Sequence, residues 1–263
     1  MAQRSTPDGA AGTPAPAQHD IPLVSRLLGR AGSLAGQGEL VGEIVTRVAA
    51  DIIEGRLAAG AELNTVDLAR RFGTSRTPVH QALAVLQREG LLLLPPRKRA
   101  RVASLTLAEI RDTYQIRAAL YSLMSTCIVE GSSDTEIARL DESLARMQVA
   151  VEQGNVLEYF YATVDYRHTE ADICPNRRVG GIIESLGLRI YPLRRYGLSL
   201  PGRMQASHRD YARLREAYGY RDADLAAAVT RAMMRKALHV IEANWPQGIS
   251  SGPAASTASR DTA

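Results

Sequence analysis

Cysteine is scarce in this chain of 263 residues, which contains only Cys127 and Cys174. Two isolated cysteines build neither a disulfide framework nor a CxxC metal site, so we exclude both as organising features. No apolar run approaches the roughly 18 residues of a membrane span. No basic start followed by an apolar core marks a signal peptide. We therefore expect no membrane association and a location in the reducing cytoplasm.

A strong excess of charge of one sign is also missing, since the formal net charge is only +4. The distribution is more informative than the total. Residues 63–104 carry eight basic and two acidic side chains, a net charge of +6, which leaves −2 for the rest of the chain. Concentrated positive charge is expected of a surface that faces phosphate groups.

Composition divides the chain into four segments. Residues 1–37 and 247–263 are rich in small residues and proline without periodic apolar positions, which is typical of disordered tails. Between them we predict one domain over residues 38–104 and another over 105–246. Each is long enough to bury its own core.

The first domain begins with an amphipathic helix near residues 38–55, indicated by apolar residues at four-residue spacing. Thr65 is expected to cap a second helix that runs to Phe72, and Gly73 supplies a left-handed turn position. Ser75 is expected to cap a third helix, which tolerates Pro78 in its first turn. A short hairpin follows around residues 95–99.

The third helix has an unusual outer face. Val79, Ala82, Leu83 and Leu86 share its inner face. The outer face carries Arg, Thr, His and Gln rather than the Glu/Lys pairs of an ordinary exposed helix, and such groups hydrogen-bond bases and phosphates. This layout is that of a winged helix-turn-helix, whose second motif helix enters the DNA major groove. The predicted DNA contacts are Thr65, Arg70, Ser75, Arg76, Thr77, Pro78, His80, Gln81, Arg97, Lys98, Arg99 and Arg101.

The segment LNTVDLARRFGTSRTPVHQALAVLQREGLL resembles the N-terminal domain of the GntR family of bacterial transcription regulators. The SRTPV core carries most of the resemblance, which implies that Arg76 and Thr77 begin the recognition helix. His80 stands where the family usually has Arg, Gln81 where it has Glu, and Arg99 where a wing-tip glycine is common. We expect an altered base preference. One helix reads only a few base pairs, so we predict a homodimer on a pseudo-palindromic, double-stranded operator.

The second domain shows helical stripes and no strand alternation. We predict about six helices, near residues 107–123, 137–151, 155–173, 177–198, 205–219 and 221–244, in an antiparallel all-helical bundle. The expected fold class is therefore mainly α, with an N-terminal winged helix-turn-helix followed by that bundle.

The segments LAEIRDTYQIRAALYSLM and DADLAAAVTRAM, together with Asn176, resemble the effector domain of the FadR-type GntR subfamily, often called FCD. The resemblance implies a small-molecule effector, commonly a carboxylic or sugar acid, and in many members a divalent metal held by one Asp and three His. Arg117 matches a family arginine. We expect the effector, a carboxylic acid or similar anion, to contact Arg117, Tyr121, Arg167 and Tyr211.

The implied metal ligands do not carry over to this chain. Aligned on Asn176, the first two positions become Thr163 and Arg167. Aligned on Ala217 and Asp222, the later positions become Tyr211 and, nearby, Met233. Aligned on His168 instead, the first pair becomes Val164 and His168. Metal ions need several nitrogen or oxygen ligands that converge on one point. We predict no metal and no cofactor, with one alternative site made of Asp165, His168, His208 and His239.

Three functions remain in competition. The first is a transcription regulator controlled by an effector, and the second is an architectural DNA-binding protein whose helical domain only dimerises. The third is a metal-dependent enzyme built on the alternative histidine set. The enzyme is disfavoured because HExxH spacing, a nucleophile elbow and a phosphate loop are all missing. We therefore expect a non-enzymatic regulator.

Overall fold

The computed structural model describes residues 21–30, 32 and 34–245. The predicted tail at 247–263, and the first twenty residues of the predicted tail at 1–37, lie outside that range. The N-terminal domain contains four helices and three short strands within the described residues: α1 Ile21–Arg30, α2 Glu39–Ile53, β1 Glu62–Leu63, α3 Thr65–Arg71, α4 Arg76–Arg88, β2 Leu92–Leu93 and β3 Ala100–Val102.

The core of this domain forms where α2 and α4 cross. Ile44 and Val48 on α2 and Val79 and Leu86 on α4 are wholly buried, as their spacing predicts. The strands form an antiparallel sheet in the order β1-β3-β2, with Leu92 opposite Val102. The hairpin was predicted. The edge strand β1 was not, since two residues are too short to show a period.

Two helix starts differ in detail from the prediction. The N-cap of α3 is Asn64, whose side-chain oxygen accepts a hydrogen bond from the Val66 amide at 2.9 Å, and Thr65 is the first helical residue. Ser75 does stand at the N-cap of α4, but its side chain makes no capping hydrogen bond. Gly73 adopts the predicted left-handed conformation, with φ of +60°.

The assignment of disorder to residues 1–37 is wrong for residues 21–30, which form α1. Val24, Leu27 and Leu28 lie at helical spacing and are buried in the core of the winged-helix domain. Burial of this short apolar stripe stabilises the helix. A composition averaged over the whole tail conceals it.

The second domain is an all-helical bundle, and the fold class is mainly α as predicted. Within the described residues it has eight helices rather than six: α5 Leu107–Gly131, α6 Asp134–Ala138, α7 Leu140–Glu152, α8 Val156–Ile173, α9 Arg177–Ser185, α10 Tyr191–Ser199, α11 Arg203–Gly219 and α12 Ala223–Ala243. The predicted helix over 177–198 is divided because Gly187 takes a left-handed conformation, with φ of +71°. None of these helices combines the length and apolar character needed to cross a membrane.

The two domains share a packed boundary. Phe160, Tyr161 and Val164 of α8 are buried in the core of the winged-helix domain. Arg195 of α10 donates from Nε to the carbonyl oxygen of Ile53 at the end of α2, at 3.0 Å. Helices α8 and α10 of the bundle therefore contact the winged-helix domain directly.

Candidate DNA interface and effector pocket

The exposed face of α4 presents the predicted recognition residues. Arg76, Thr77, His80 and Gln81 are all exposed at the start of this helix, and Pro78 is half-buried between them. Arg76 has no ion-pair partner among the described residues. The 3.6-residue period directs the apolar side chains inward, so the polar ones share a single surface.

That surface continues into the hairpin. An open groove of about 430 Å³ runs between the starts of α3 and α4 and the wing, and it is lined by Thr65, His80, Arg97, Lys98 and Arg99. Groups predicted from three separate sequence segments thus border one concave, positively charged surface. Such a surface can follow a DNA backbone while the N-terminal residues of α4 contact base edges.

Two of the predicted wing contacts are engaged within the protein. Arg101 donates from Nε and Nη2 to Oε1 of Glu62, at 3.1 and 2.5 Å, and Nη1 of Arg99 lies 3.7 Å from the other carboxylate oxygen. Hydrogen bonding from Arg101 holds the pKa of Glu62 below its usual value. Glu62 precedes the segment used for the charge count, and only the β1–β3 pairing shows that it faces Arg101.

The remaining basic residues of the interface differ in whether they form ion pairs within the protein. Arg97 and Lys98 have no ion-pair partner in the described part of the chain, whereas Arg70 lies 3.3 Å from Asp67 at the exposed end of α3. Arg97 has φ of +60°, so it occupies the left-handed position of the wing turn. The wing position that favours glycine is therefore Arg97 rather than Arg99.

In the helical domain, the four predicted effector residues come together. The guanidinium of Arg117 lies over the ring of Tyr121 at 5.0 Å. The guanidinium of Arg167 lies 4.7 Å from the ring centre of Tyr121 and 5.0 Å from that of Tyr211. All four side chains are buried. Cations stacked on tyrosine rings are held in fixed positions.

Arg167 is partly neutralised by a buried acid on its own helix. Its Nη1 lies 2.7 Å from Glu170, which also accepts a hydrogen bond from the Tyr218 hydroxyl at 2.6 Å. Burial raises the pKa of Glu170, while the charge of Arg167 and both hydrogen bonds oppose that rise. Arg117 forms no ion pair among the described residues, which leaves its positive charge available to a ligand.

A cavity of about 70 Å³ lies beside this stack. Arg117 and Tyr211 line it. The other polar lining residues were not assigned to the effector site from sequence; they are Tyr114, Thr163, Arg194, Arg203, Ser207 and Asp210. Met233, Met234, Ala237 and Ile241 of α12 supply an apolar wall. Thr163 and Met233 had a sequence signal, because the family alignment placed both at implied ligand positions.

The residues present do not fit a metal. The aligned positions do converge, since Nη2 of Arg167 lies 3.8 Å from the sulfur of Met233 and Thr163 and Tyr211 line the same cavity. Their groups are a hydroxyl, a guanidinium, a phenol and a thioether, a poor set for a divalent ion.

The alternative metal site is wrong. Asp165 is bound to Nη1 of Arg146 at 2.6 Å, and His239 is exposed on α12. Partial burial lowers the pKa of His208 on α11, and His168 lies on α8. Among the described residues no three His, Cys, Asp or Glu side chains are grouped so that they could hold a metal ion.

Comparison with known proteins finds a match for each of the two domains. Residues 40–102 match the family described as bacterial regulatory proteins, gntR family, and residues 112–236 match the FCD domain. The winged-helix domain is thus similar to the first family and most of the helical bundle to the second, in that order along the chain. The recognition helix lies within the first match, and Arg117, Arg167, Tyr211 and Met233 lie within the second.

Relatives of this chain are named as regulators. It is 25% identical over 166 residues to an uncharacterized HTH-type transcriptional regulator, YdhC, of Bacillus subtilis, covering 63% of this chain and 74% of that protein. It is 22% identical to the HTH-type transcriptional repressor RspR of Escherichia coli, covering 73% of this chain and 83% of that protein. The solved structure of E. coli McbR/YncC superposes with a TM-score of 0.67 at 22% identity, covering 79% of this chain and 99% of that one. That last likeness supports the fold of the two domains together.

Proposed function

We propose that this protein is a homodimeric regulator of the FadR type whose affinity for a pseudo-palindromic operator changes when a small anion enters the FCD pocket. One observation carries the proposal. Arg194 of α10 lines the cavity, while the next residue, Arg195, hydrogen-bonds the end of α2 in the DNA-binding domain. A ligand that moves Arg194 therefore acts on an element already attached to the winged helix.

The proposed DNA contacts fall into two kinds. Arg76, Thr77, His80 and Gln81 are positioned on α4 to read base edges, and Arg97 and Lys98 on the wing to hold phosphates. Base contacts supply sequence discrimination, and phosphate contacts supply affinity and register. The cytoplasm, where bacterial DNA is accessible, is the proposed location.

A homodimer is supported by an apolar patch on α5. Ile116 and Leu123 lie seven residues apart, on one face of the helix, and their exposed fractions are 48% and 46%. Exposed apolar residues on one face are a common feature of subunit contacts. Two subunits would double the number of base pairs read, which a single recognition helix needs for selectivity.

The anionic character of the effector is supported by the buried arginines of the pocket. A ligand changes DNA affinity only through a difference in its own affinity for the two arrangements of the DNA-binding domains. Thr163 and Arg194 on the pocket wall belong to α8 and α10, which both pack on the winged helix. These two helices are the proposed path of coupling.

The test is a thermal-shift screen of organic acids followed by operator titrations. A ligand at 100 times its Kd should raise the free energy of unfolding by about 2.7 kcal/mol. We expect an acid that stabilises the full chain to change operator affinity measured by fluorescence anisotropy. Stabilising acids that leave operator affinity unchanged would contradict effector control and favour an architectural DNA-binding protein.

A further inference from the structure

The FCD cavity has an excess of positive charge. Arg117, Arg194 and Arg203 approach it from α5, α10 and α11. Among the described residues, Asp210 is the one carboxylate that lines it, and Nζ of Lys236 binds that carboxylate at 2.6 Å. The charge of Asp210 is therefore already neutralised by Lys236, which does not line the cavity. No other negative charge among the described residues of the cavity wall balances the three guanidinium groups.

Two of these guanidinium groups also have a buried Nε atom without a hydrogen-bond acceptor among the described residues. Arg117 is 3% exposed, and its Nε and that of Arg203 are buried without a partner in the described structure. Nη2 of Arg194 has one long contact, 3.5 Å from the hydroxyl of Thr163, and its guanidinium otherwise rests on the rings of Phe160 and Tyr191. Buried donors without acceptors are unfavourable, and an incoming oxyanion would satisfy them.

The volume limits the size of the ligand. The cavity measures about 70 Å³ and is open on one side, so part of a small ligand can extend beyond it. An apolar wall from Met233, Met234 and Ile241 faces the arginines. The space therefore suits a short carbon chain or a single phosphate group rather than an extended molecule.

We propose that this cavity binds a small oxyanion with two negative charges, held by Arg117, Arg194 and Arg203 without a metal ion. The proposal rests on the effector pocket proposed above and names the chemical class of its ligand. Short dicarboxylates and phosphate share that charge. A dianion compensates the charge of three guanidinium groups more fully than a monoanion does.

The first measurement compares succinate with butyrate, which has the same four-carbon chain and one carboxylate fewer. Isothermal titration calorimetry of the full chain in EDTA is run with each, and with inorganic phosphate to distinguish the two sources of charge. We expect succinate or phosphate to bind at least about tenfold more tightly than butyrate, as one added charge-assisted contact allows. Butyrate that binds as tightly as the better of the two dianions, or no binding of any of the three probes, would overturn the proposal.

Variants locate the site. Arg203→Gln should weaken binding of the tighter probe by about tenfold or more, and Arg203→Lys, which keeps the charge, should restore part of it. Arg209→Gln is the matched control, because Arg209 is exposed on the same helix. Thermal unfolding of each ligand-free variant shows whether it folds. Equal losses in Arg203→Gln and Arg209→Gln would place binding outside this cavity and overturn the proposal.

The same samples separate this proposal from the regulatory one. If succinate binds as expected but operator affinity is unchanged, the dianion site stands and effector control fails. If butyrate binds as tightly as the better of the two dianions and changes operator affinity, effector control stands and the dianion assignment fails.

Discussion

The hydroxyl of Tyr161 on α8 donates a hydrogen bond to Oε1 of Glu54, the C-cap residue of α2, at 3.0 Å. Tyr161 is buried in the core of the DNA-binding domain, whereas Thr163, two residues later, lines the effector cavity. Two residues correspond to about 200° around a helix, so the two side chains lie on nearly opposite faces of α8. This helix separates the pocket from the winged helix and contacts both.

Tyr161→Phe should remove the hydrogen bond between the two domains and preserve the buried ring. The variant removes one hydrogen bond to a buried carboxylate, so we expect the free energy of unfolding to fall by about 1–3 kcal/mol. Urea denaturation measures this change. Tyr196→Phe is the control, since the Tyr196 hydroxyl makes an exposed hydrogen bond to the Asn244 carbonyl oxygen. A loss no larger than in the control would show that the Tyr161–Glu54 contact is unimportant.

Arg76→Ala should reduce specific binding by about 1–3 kcal/mol and relax the preference at one position of each half-site. The reason is its place at the exposed start of α4, without an ion-pair partner among the described residues. Gel-shift titrations against an operator and its point variants provide the measurement. Arg88→Ala, at the other end of the same helix, is the control. Unchanged affinity and selectivity in Arg76→Ala would remove this residue from the interface.

Neutralising Arg97 and Lys98 together should weaken binding to all DNA sequences alike. The binding constant K falls as the salt concentration rises. Each lost phosphate contact makes the slope of log K against log salt less steep by about 0.9. Arg101→Gln should change the slope less, because Arg101 is already paired with Glu62. If Arg101→Gln has the larger effect, the Glu62 pairing gives way on DNA and this distinction is wrong.

Much of the DNA face follows from sequence because it depends on local periodicity. The spacing of Val79, Ala82, Leu83 and Leu86 fixes the inner face of α4, and the polar side chains are then necessarily outside. The pairing of Arg101 with Glu62 could not be foreseen, because it depends on an edge strand of two residues. Cross-strand neighbours depend on register, which so short a strand does not encode.

The effector pocket was predicted in part. Arg117 was assigned from its match to a family arginine, and the structure places it against Tyr121, which also contacts Arg167. Arg194 and Arg203 were missed because they are brought to the cavity by α10 and the start of α11, after a break at Gly187 that the helical pattern did not show. The convergence of side chains from five helices is a tertiary property.

Arg97→Gly should give a more stable wing than Arg97→Ala. A residue other than glycine in the left-handed conformation costs about 1–2 kcal/mol, and Arg97 has φ of +60°. Both variants remove the same charge, so urea denaturation of the pair isolates the backbone contribution. A more stable alanine variant would contradict the left-handed geometry of this turn.

Acid stability should depend on the capping box at the start of α5. Although partial burial acts to raise it, hydrogen bonds from Thr106 and the nearby charge of Arg189 lower the pKa of Glu109 below its usual value of 4.5. A carboxyl group whose pKa is lower in the folded state stabilises the fold. This contribution is fully present above the unfolded-state pKa and is lost as pH falls through the folded-state pKa. Glu109→Gln keeps a capping acceptor without titrating.

Urea denaturation at pH 5 and at pH 3 gives the fall in the free energy of unfolding between these two pH values. We expect this fall to be smaller in Glu109→Gln than in the unmodified chain. Glu142→Gln, at an exposed position of α7, should follow the unmodified chain. Identical pH dependence in all three proteins would mean that the Glu109 cap contributes nothing that titrates.

The most direct test of the central claim is selection of DNA from a random duplex pool by the full chain, followed by sequencing. A dimer that reads DNA through α4 should enrich an inverted repeat whose half-site centres lie about one helical turn, or a multiple of it, apart. The Arg76→Ala chain should lose preference at the same position in both halves. Enrichment of no sequence, or of a single unpaired half-site that Arg76→Ala selects equally well, would contradict the account.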